Sequence, residues 1–223
     1  MTAHLQAVLF DMDGTLCDTE PVWMAAELAM AQRYGAGWTP ADGLALVGKQ
    51  LIVSCTYIKE RMGLPQPVEA VFEELLAGAM TAIAHEGPAW RPGALDLLMA
   101  CNGAGLPTAL VTASHSVFTE AILDGMPSGR FDAVVTGDHV ERGKPAPDPY
   151  LLAADLLEVN ACSCIAIEDS PTGAESAEAA GCLVIVVPNQ VAVSSQGRRR
   201  EVDSLAELSL ADLQLLFEQD LSV

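Results

Sequence analysis

The chain has 223 residues, 51% of them hydrophobic, and a formal net charge of −19 at pH 7. This negative charge repels nucleic-acid phosphates and anionic lipid, so neither nucleic acid nor a membrane is expected as a partner. No apolar stretch approaches the roughly 18 residues that span a bilayer, and no signal peptide is evident. A cytoplasmic location is therefore the default expectation, and a monomer is expected.

The first predicted strand ends in a pair of carboxylates. Ala7–Phe10 is a short apolar run of the kind that forms a buried strand, and Asp11 and Asp13 follow it before the turn signal of Gly14. In a parallel α/β sheet, ligands bind at the carboxyl ends of the strands. The sequence therefore places two carboxylates where such folds carry out chemistry.

The next part of the chain carries the signals of helices and predicts an insertion. The separation between Phe10 and Thr108 is too long for a single crossover helix. Four helices are predicted: one from Thr19-Glu20-Pro21 to Gly35, a short one that Thr39-Pro40 opens and Gly48 stops, and two over Gln50 to Met62 and Pro67 to Glu86. Together they fit a small helical bundle.

Further strands are predicted along the rest of the chain, at Thr108–Val111, Ala133–Val135, Ile165–Ile167 and Leu183–Val187. The segments between them are mostly long enough for helices. This alternation predicts an α/β fold with a doubly wound parallel sheet. We expect a core domain of residues 1–16 and 89–223, and an inserted all-α cap domain of residues 17–88.

Two other patterns are interpreted as structural. The arginines Arg198, Arg199 and Arg200 stand among polar residues and are expected to lie in a solvated loop. The six cysteines are scattered without the paired spacing of a zinc site, and we expect reduced core residues. Cys162 and Cys164, which form a lone C-x-C, are expected to be buried around the start of a strand.

Four motifs occur in a fixed order along the chain: Asp11-Met12-Asp13-Gly14-Thr15, then Thr112 at the end of an apolar strand, then Lys144, then Glu168-Asp169. In this order they resemble the haloacid dehalogenase superfamily of phosphohydrolases, over the whole chain rather than at one patch. The resemblance is to members with a helical cap, the β-phosphoglucomutase and sugar-phosphatase type. It implies a Rossmann-like core and a cap that closes over the site, with hinges near residues 17–20 and 87–92.

The resemblance also implies a mechanism. Asp11 would attack the phosphorus of a small phosphomonoester to form an aspartyl-phosphate, and Asp13 would act as acid and then as base. Thr112 and Lys144 would hold and neutralise the phosphoryl oxygens. Magnesium is the implied cofactor, with ligands from Asp11, the main-chain carbonyl of Asp13, Glu168 and Asp169.

The substrate is expected to be a phosphorylated metabolite such as a sugar phosphate. The candidate substrate-binding residues are Thr112, Ala113, Ser114, His115, Lys144 and the cap residue Lys49. The hydroxyl of Thr112 and the backbone that follows it would bind phosphate oxygens. Lys49 would reach the polar part of the substrate from the cap.

Three alternatives stay open at this point. A sugar phosphomutase would keep all four motifs and pass the phosphoryl group to a second hydroxyl instead of water. A phosphonate hydrolase would use a cap lysine such as Lys49 as a Schiff base, although such relatives generally lack the acid at the position of Asp13. A phospho-accepting signalling domain would use a similar set of residues without a long helical insert.

Overall fold

The computed structural model describes residues 4–46, 49–127 and 129–221. Strands in this part of the chain are β1 Ala7–Phe10, β2 Cys17–Asp18, β3 Ala89–Trp90, β4 Thr108–Val111, β5 Ala133–Val135, β6 Cys164–Glu168, β7 Leu183–Val186 and β8 Arg199–Glu201. Helices are α1 Glu20–Tyr34, α2 Pro40–Leu44, α3 Leu51–Met62, α4 Val68–Glu86, α5 Ala94–Gly103, α6 Ser116–Asp124, α7 Asp148–Leu156, α8 Pro171–Ala179 and α9 Leu210–Asp220.

Six of the described strands form one parallel sheet in the order β5-β4-β1-β6-β7-β8. Every residue of β1, β4, β6 and β7 is buried, as expected for a parallel sheet that helices cover on both faces. From β1 the chain adds β4 and β5 on one side of the sheet, and then returns to add β6, β7 and β8 on the other side. The predicted fold class, a doubly wound α/β sheet, is confirmed.

Alternation along β1 divides the core into two layers. Val8 and Phe10 face a layer that includes Leu97 of α5 and Phe217 of α9. Ala7 and Leu9 face the opposite layer, which contains residues of α7 and α8. Because successive side chains of a strand point to opposite faces, one short apolar run supplies both layers.

Helices α1 to α4 follow β2 and precede β3 in the chain. They share a hydrophobic cluster that includes Met30, Ile58 and Leu75. Strands β2 and β3 pair antiparallel with each other, so the two chain crossings form a short ribbon, which is not among the predicted strands. The predicted helices at Gln50 to Met62 and Pro67 to Glu86 correspond to α3 and α4. Gly48, predicted to stop the second helix, lies outside the described residues.

The expectation of a solvated loop at the three arginines is wrong. Strand β8 continues the sheet and pairs in parallel with β7. Arg198 and Arg200 each form an ion pair with Asp220, at 2.7 and 3.1 Å, and Arg199 pairs with Glu178 at 2.7 Å. The arginines therefore attach the end of α9 and the helix α8 to the edge of the sheet.

The expectation for the cysteines holds for five of the six. Five are buried, but Cys162 is exposed, because it lies in the 3-10 turn Ala161–Ser163, which directly precedes β6. All six are free thiols. None of the helices described here is both long and apolar enough to cross a membrane.

Candidate active site

The carboxyl ends of three adjacent strands converge at the site. Asp11 follows β1, Thr112 follows β4, and Glu168 and Asp169 stand at the end of β6. Lys144 arrives from the loop between β5 and α7. The structure thus brings the four motifs together at the point where the strand order reverses, which is the usual ligand site of such sheets.

Lys144 is the buried cation at the centre of this cluster. Its Nζ lies 2.6 Å from Oδ1 of Asp11 and 2.6 Å from Oε1 of Glu168, and the side chain is 3% exposed. A third hydrogen bond goes to the carbonyl oxygen of Val111 at 2.9 Å. Burial alone lowers the pKa of Lys144, but the two carboxylates outweigh burial and raise its pKa above the ordinary value.

Asp11 is held through one oxygen only. Oδ1 accepts the hydrogen bond of Lys144, whereas Oδ2 is buried and receives none from any residue that the structure describes. Burial, followed by the charge of Glu168, raises the pKa of Asp11 to about 8, against the opposing effect of Lys144. A further cation near Oδ2 would therefore favour the ionised form, which is the nucleophilic one.

The carboxyl of Asp13 is held by three hydroxyl groups. Thr112 and Ser114 donate to Oδ2 at 2.9 and 2.8 Å, and Thr19 donates to Oδ1 at 2.5 Å. In this structure the Thr112 hydroxyl, predicted to bind a phosphate oxygen, donates its hydrogen bond to Asp13 instead. Thr19 was not singled out from the sequence, where it reads only as the residue before a helix.

Glu168 is fully buried and accepts three hydrogen bonds. Oε1 accepts from Lys144 and from the hydroxyl of Tyr150 at 2.6 Å, and Oε2 accepts from Ser170 at 3.2 Å. A Cβ on Gly173 would lie 2.0 Å from either oxygen, so the start of α8 packs directly against the carboxylate. This arrangement makes Glu168 the anchor of Lys144. Tyr150, like Thr19, carries no motif that marks it in the sequence.

The residues present fit a magnesium ion. Asp11, Glu168 and Asp169 each offer an oxygen within 4.8 Å of the others, and carboxylate oxygens are the ligands that magnesium prefers. Burial, followed by the charges of Asp11 and Glu168, raises the pKa of Asp169. The neighbouring carboxylates repel its negative charge, and Lys144 alone does not compensate for them. The three carboxylates together form a donor set suited to a divalent ion.

Because Gly14 has no side chain, the carboxylate of Asp169 can lie directly against its backbone. Its φ is +88°, and a Cβ there would lie 1.9 Å from Oδ2 of Asp169. A side chain at this turn would therefore both strain the backbone and displace the carboxylate.

An open cleft lies between this cluster and helices α1 to α4. The core residues that line it include Asp11, Asp13, Ala113, Ser114, Lys144 and Asp169. Lys49, which precedes α3, lines it from the side opposite the cluster and is exposed. Of the predicted substrate-binding residues, Ala113, Ser114, Lys144 and Lys49 thus share one cleft.

His115 lies elsewhere. It lines a neighbouring cavity with Phe72 and Asp138, and its ring stacks edge-on against Phe72 at 5.4 Å between centroids. Its Nε2 is 3.6 Å from Oδ2 of Asp138. The structure therefore places His115 where α4 meets the start of α6.

The comparisons with known proteins agree with this geometry. The model of the haloacid dehalogenase-like hydrolase family matches residues 5–181. The chain belongs to this family. The resemblance stated from the four motifs is confirmed, and so is the predicted enzyme class, a phosphohydrolase of the haloacid dehalogenase type.

Individual relatives in the family share nearly the whole chain. Hexitol phosphatase A of Escherichia coli (strain K12) is 37% identical over 198 residues, which cover 87% of each chain. CbbY from Rhodobacter sphaeroides, solved in complex with xylulose-(1,5)bisphosphate, is 28% identical with a TM-score of 0.83 and covers 94% of this chain and 99% of its own. A β-phosphoglucomutase structure from Clostridium difficile, 22% identical, covers 98% and 100% with a TM-score of 0.84 and shows the fold alone.

Proposed function

We propose that the protein is a magnesium-dependent phosphatase that hydrolyses a small phosphorylated metabolite, a sugar or polyol phosphate, through an aspartyl-phosphate. The observation that carries the proposal is the state of Asp11. One of its oxygens is fixed by Lys144, and the other is buried and unpaired, beside a carboxyl, Asp13, that faces the same cleft. A nucleophile and a proton donor are thus held next to each other.

In the first step, Oδ2 of Asp11 attacks the phosphorus and the bond from phosphorus to the ester oxygen breaks. Asp13 gives its proton to the departing alkoxide, which leaves as an alcohol. The three hydroxyl groups from Thr19, Thr112 and Ser114 fix the orientation of Asp13 for this transfer. Lys144 neutralises the charge that gathers between Asp11 and the phosphoryl oxygens.

In the second step, water attacks the phosphorus of the aspartyl-phosphate. Asp13, now ionised, takes a proton from that water, and the bond from phosphorus to Asp11 breaks. Inorganic phosphate leaves, and both carboxyls return to their starting states. One acid therefore serves both halves of the reaction, and the ion pair with Lys144 keeps Asp11 in place throughout.

Asp11, Asp169 and the main-chain carbonyl of Asp13 would hold magnesium, with Glu168 close behind them. The ion, when bound, neutralises phosphoryl oxygen charge and orients the phosphoryl group for attack. Because Glu168 already accepts hydrogen bonds from Lys144, Tyr150 and Ser170, we assign it mainly to positioning Lys144. Asp169 is the better candidate for direct ligation.

We also infer that residues 17–88 act as a cap domain. Helices α1 to α3 supply one wall of the cleft, and their hydrophobic cluster is built mostly from their own residues and those of α4. The ribbon of β2 and β3 carries the two chain crossings. Hexitol phosphatase A, whose match covers 87% of this chain, supports the choice of a sugar or polyol phosphate as substrate.

A sugar phosphomutase is the second candidate, since the fold is shared with a β-phosphoglucomutase. The same residues would form the same aspartyl-phosphate, and a second hydroxyl of the sugar would take the place of water. Phosphate release separates the two functions, because a mutase returns its phosphoryl group to a sugar.

The test is a screen of phosphate release from sugar and polyol monophosphates, with magnesium and with EDTA. We expect turnover only with the metal, and acid quenching during turnover should trap phosphate on Asp11. If a hexose phosphate is isomerised without release of inorganic phosphate when a bisphosphate primer is added, the protein is a mutase. Full activity in EDTA would contradict the metal requirement.

A further inference from the structure

Helix α1 presents one face to the cleft. Glu20, Trp23 and Glu27 all line it, and their spacing of three and then four residues places them on the same side of the helix. Burial, followed by the charge of Asp13, raises the pKa of Glu20 to about 7, so the Glu20 end of this face is near the catalytic pair. Glu27 lies seven residues further along, or about 10 Å at the helical rise per residue.

Glu27 is a buried acid that the proposed catalytic steps do not use. It is 5% exposed. Its Oε2 accepts a hydrogen bond from Nε1 of Trp38 at 3.0 Å and lies 3.2 Å from where a Cβ on Gly43 would stand. For the other oxygen, Oε1, no hydrogen bond is found to residues 4–46, 49–127 and 129–221, and the carboxyl has no ion pair within these residues. Unlike Oδ2 of Asp11, Oε1 is not one of the fully enclosed unpaired atoms.

Ionising a buried carboxyl without a nearby cation costs free energy, and this cost is seen in the pKa of Glu27. Burial raises the pKa of Glu27 to about 7, with the hydrogen bond of Trp38 opposing the rise. A structural role would be met as well by a neutral side chain that accepts from Trp38. The free oxygen in the lining of the active-site cleft points instead to a ligand that donates hydrogen bonds.

We propose that Glu27 determines specificity for the end of the substrate remote from the phosphate. Its free oxygen accepts a hydrogen bond from a hydroxyl of the substrate's carbon chain, and its charge excludes a second anionic group there. The inference rests on the proposed phosphatase function and narrows its substrate to monophosphates of sugars or polyols with a neutral, hydroxyl-bearing far end.

The charges around the cleft agree with this exclusion. Among the described residues that line it, five are acidic and two are basic. One of the basic residues, Lys144, is already paired with two carboxylates, and the other, Lys49, is exposed. A second phosphate or a carboxylate beside Glu27 would therefore meet a like charge in a poorly solvated position. The bisphosphate bound by CbbY is thus a ligand that this cleft should reject.

The test compares two esters that differ only at the far end. Sorbitol 6-phosphate ends in a hydroxymethyl group, and 6-phosphogluconate ends in a carboxylate on the same carbon chain. At about pH 8, where Glu27 is ionised because its pKa is about 7, we expect the wild-type protein with magnesium to prefer sorbitol 6-phosphate in kcat/KM by at least about tenfold. Equal values for the two esters would overturn the proposal without any variant being made.

The variant Glu27→Gln keeps an acceptor for Trp38 and removes the charge. In this variant we expect KM for 6-phosphogluconate to fall. The ratio of kcat/KM for sorbitol 6-phosphate to that for 6-phosphogluconate should decrease to about threefold or less. Hexyl phosphate, which has six carbons and no hydroxyl, should be hydrolysed equally by both proteins. A Gln variant that loses activity equally on all three esters, or keeps the wild-type preference, would show that Glu27 only supports the fold.

Trp38→Phe is the matched control, because it breaks the same hydrogen bond from the other side and leaves the carboxyl in place. It should keep the preference for sorbitol 6-phosphate. A preference lost in this variant and kept in Glu27→Gln would assign selectivity to the packing of Trp38 and overturn the proposal. If none of the three esters releases phosphate with the wild-type protein, the proposed phosphatase function fails instead, so the two failures are distinguishable.

Discussion

Asp11 and Lys144 are joined by a buried ion pair, with 2.6 Å between Oδ1 and Nζ. The pair connects β1 with the loop before α7, and the second oxygen of Asp11 remains without a hydrogen bond from the described chain. Lys144 thus neutralises Asp11 and occupies Oδ1, which leaves Oδ2 as the oxygen without a partner in the part of the chain that the structure describes. This relationship underlies the predictions on catalysis and on stability.

Asp11→Asn should abolish turnover. The amide is not a nucleophile toward phosphorus, so we expect kcat to fall by at least about a thousandfold. The measurement is phosphate release under saturating substrate and magnesium, together with acid-quench trapping of the phosphorylated protein. The matched control is Asp155→Asn, at an exposed position of α7, which should retain wild-type turnover. Trapped phosphate in the Asn variant would contradict the assignment of the nucleophile.

Lys144→Met should destabilise the fold as well as remove activity. It leaves Glu168 and Asp11 buried beside each other without their cation, and breaking a buried ion pair from one side costs about 3–5 kcal/mol. The measurement is urea unfolding at neutral pH in metal-free buffer.

The double variant Lys144→Met with Glu168→Gln separates stability from catalysis. Glu168→Gln removes the more deeply buried of the two carboxylates that lose their cation. Most of the lost free energy of unfolding should therefore return, to within about 1–2 kcal/mol of the wild type, while activity stays absent. A double variant as unstable as the single one would show that packing, rather than the unpaired carboxylate, explains the loss.

The motifs predict much of this site because their chemistry requires rare residue pairs at strand ends. Asp11, Thr112 and Asp169 each follow an apolar run, and parallel strands place such positions at one edge of the sheet. The strand predictions at Ala7–Phe10 and Thr108–Val111 coincide with β1 and β4 for the same reason: continuous apolar runs mark buried strands.

Other contacts depend on the fold and leave no signal in the sequence. Thr19 and Tyr150 donate to Asp13 and Glu168, but a threonine before a helix and a tyrosine within one are common everywhere. Strand β8 is polar because it lies at the edge of the sheet, where its charges pair with distant helices, so composition alone suggests a loop. Glu27 lies on a helix face that becomes the wall of the cleft only after α1 packs above the sheet.

Gly14→Ala should weaken magnesium activation. The new methyl group would occupy the position of the Asp169 carboxylate, so we expect the magnesium concentration for half-maximal activity to rise at least about tenfold. The matched control is Gly105→Ala, at a φ of +69° where a Cβ meets nothing within 4 Å. Both variants should lose roughly 1–2 kcal/mol of stability, because alanine is strained in the left-handed backbone conformation. Only Gly14→Ala should change the magnesium dependence of activity. Equal metal dependence in both would contradict the placement of Asp169.

Asp220→Asn should lower stability without changing activity. Its carboxylate accepts from Arg198 and Arg200 and is 9% exposed, whereas the arginines are 35% and 37% exposed. Because solvent screens these pairs in part, we expect a loss of about 1–2 kcal/mol by urea unfolding. A fall in kcat/KM with unchanged stability would indicate instead that the arginines serve the substrate.

Glu27→Gln should become more stable than the wild type as the pH rises. The pKa of Glu27 is raised from 4.5 to about 7, so the folded protein holds this proton at pH values where the unfolded chain has released it. The favourable contribution is complete below pH 4.5 and is lost as the pH passes through about 7, and glutamine does not titrate. Between pH 5 and pH 9, the free energy of unfolding of the variant should gain about 2–3 kcal/mol on that of the wild type. Urea unfolding at several pH values measures this difference, in which the other carboxyls cancel. A difference independent of pH would show that Glu27 is ionised in the folded protein throughout this range.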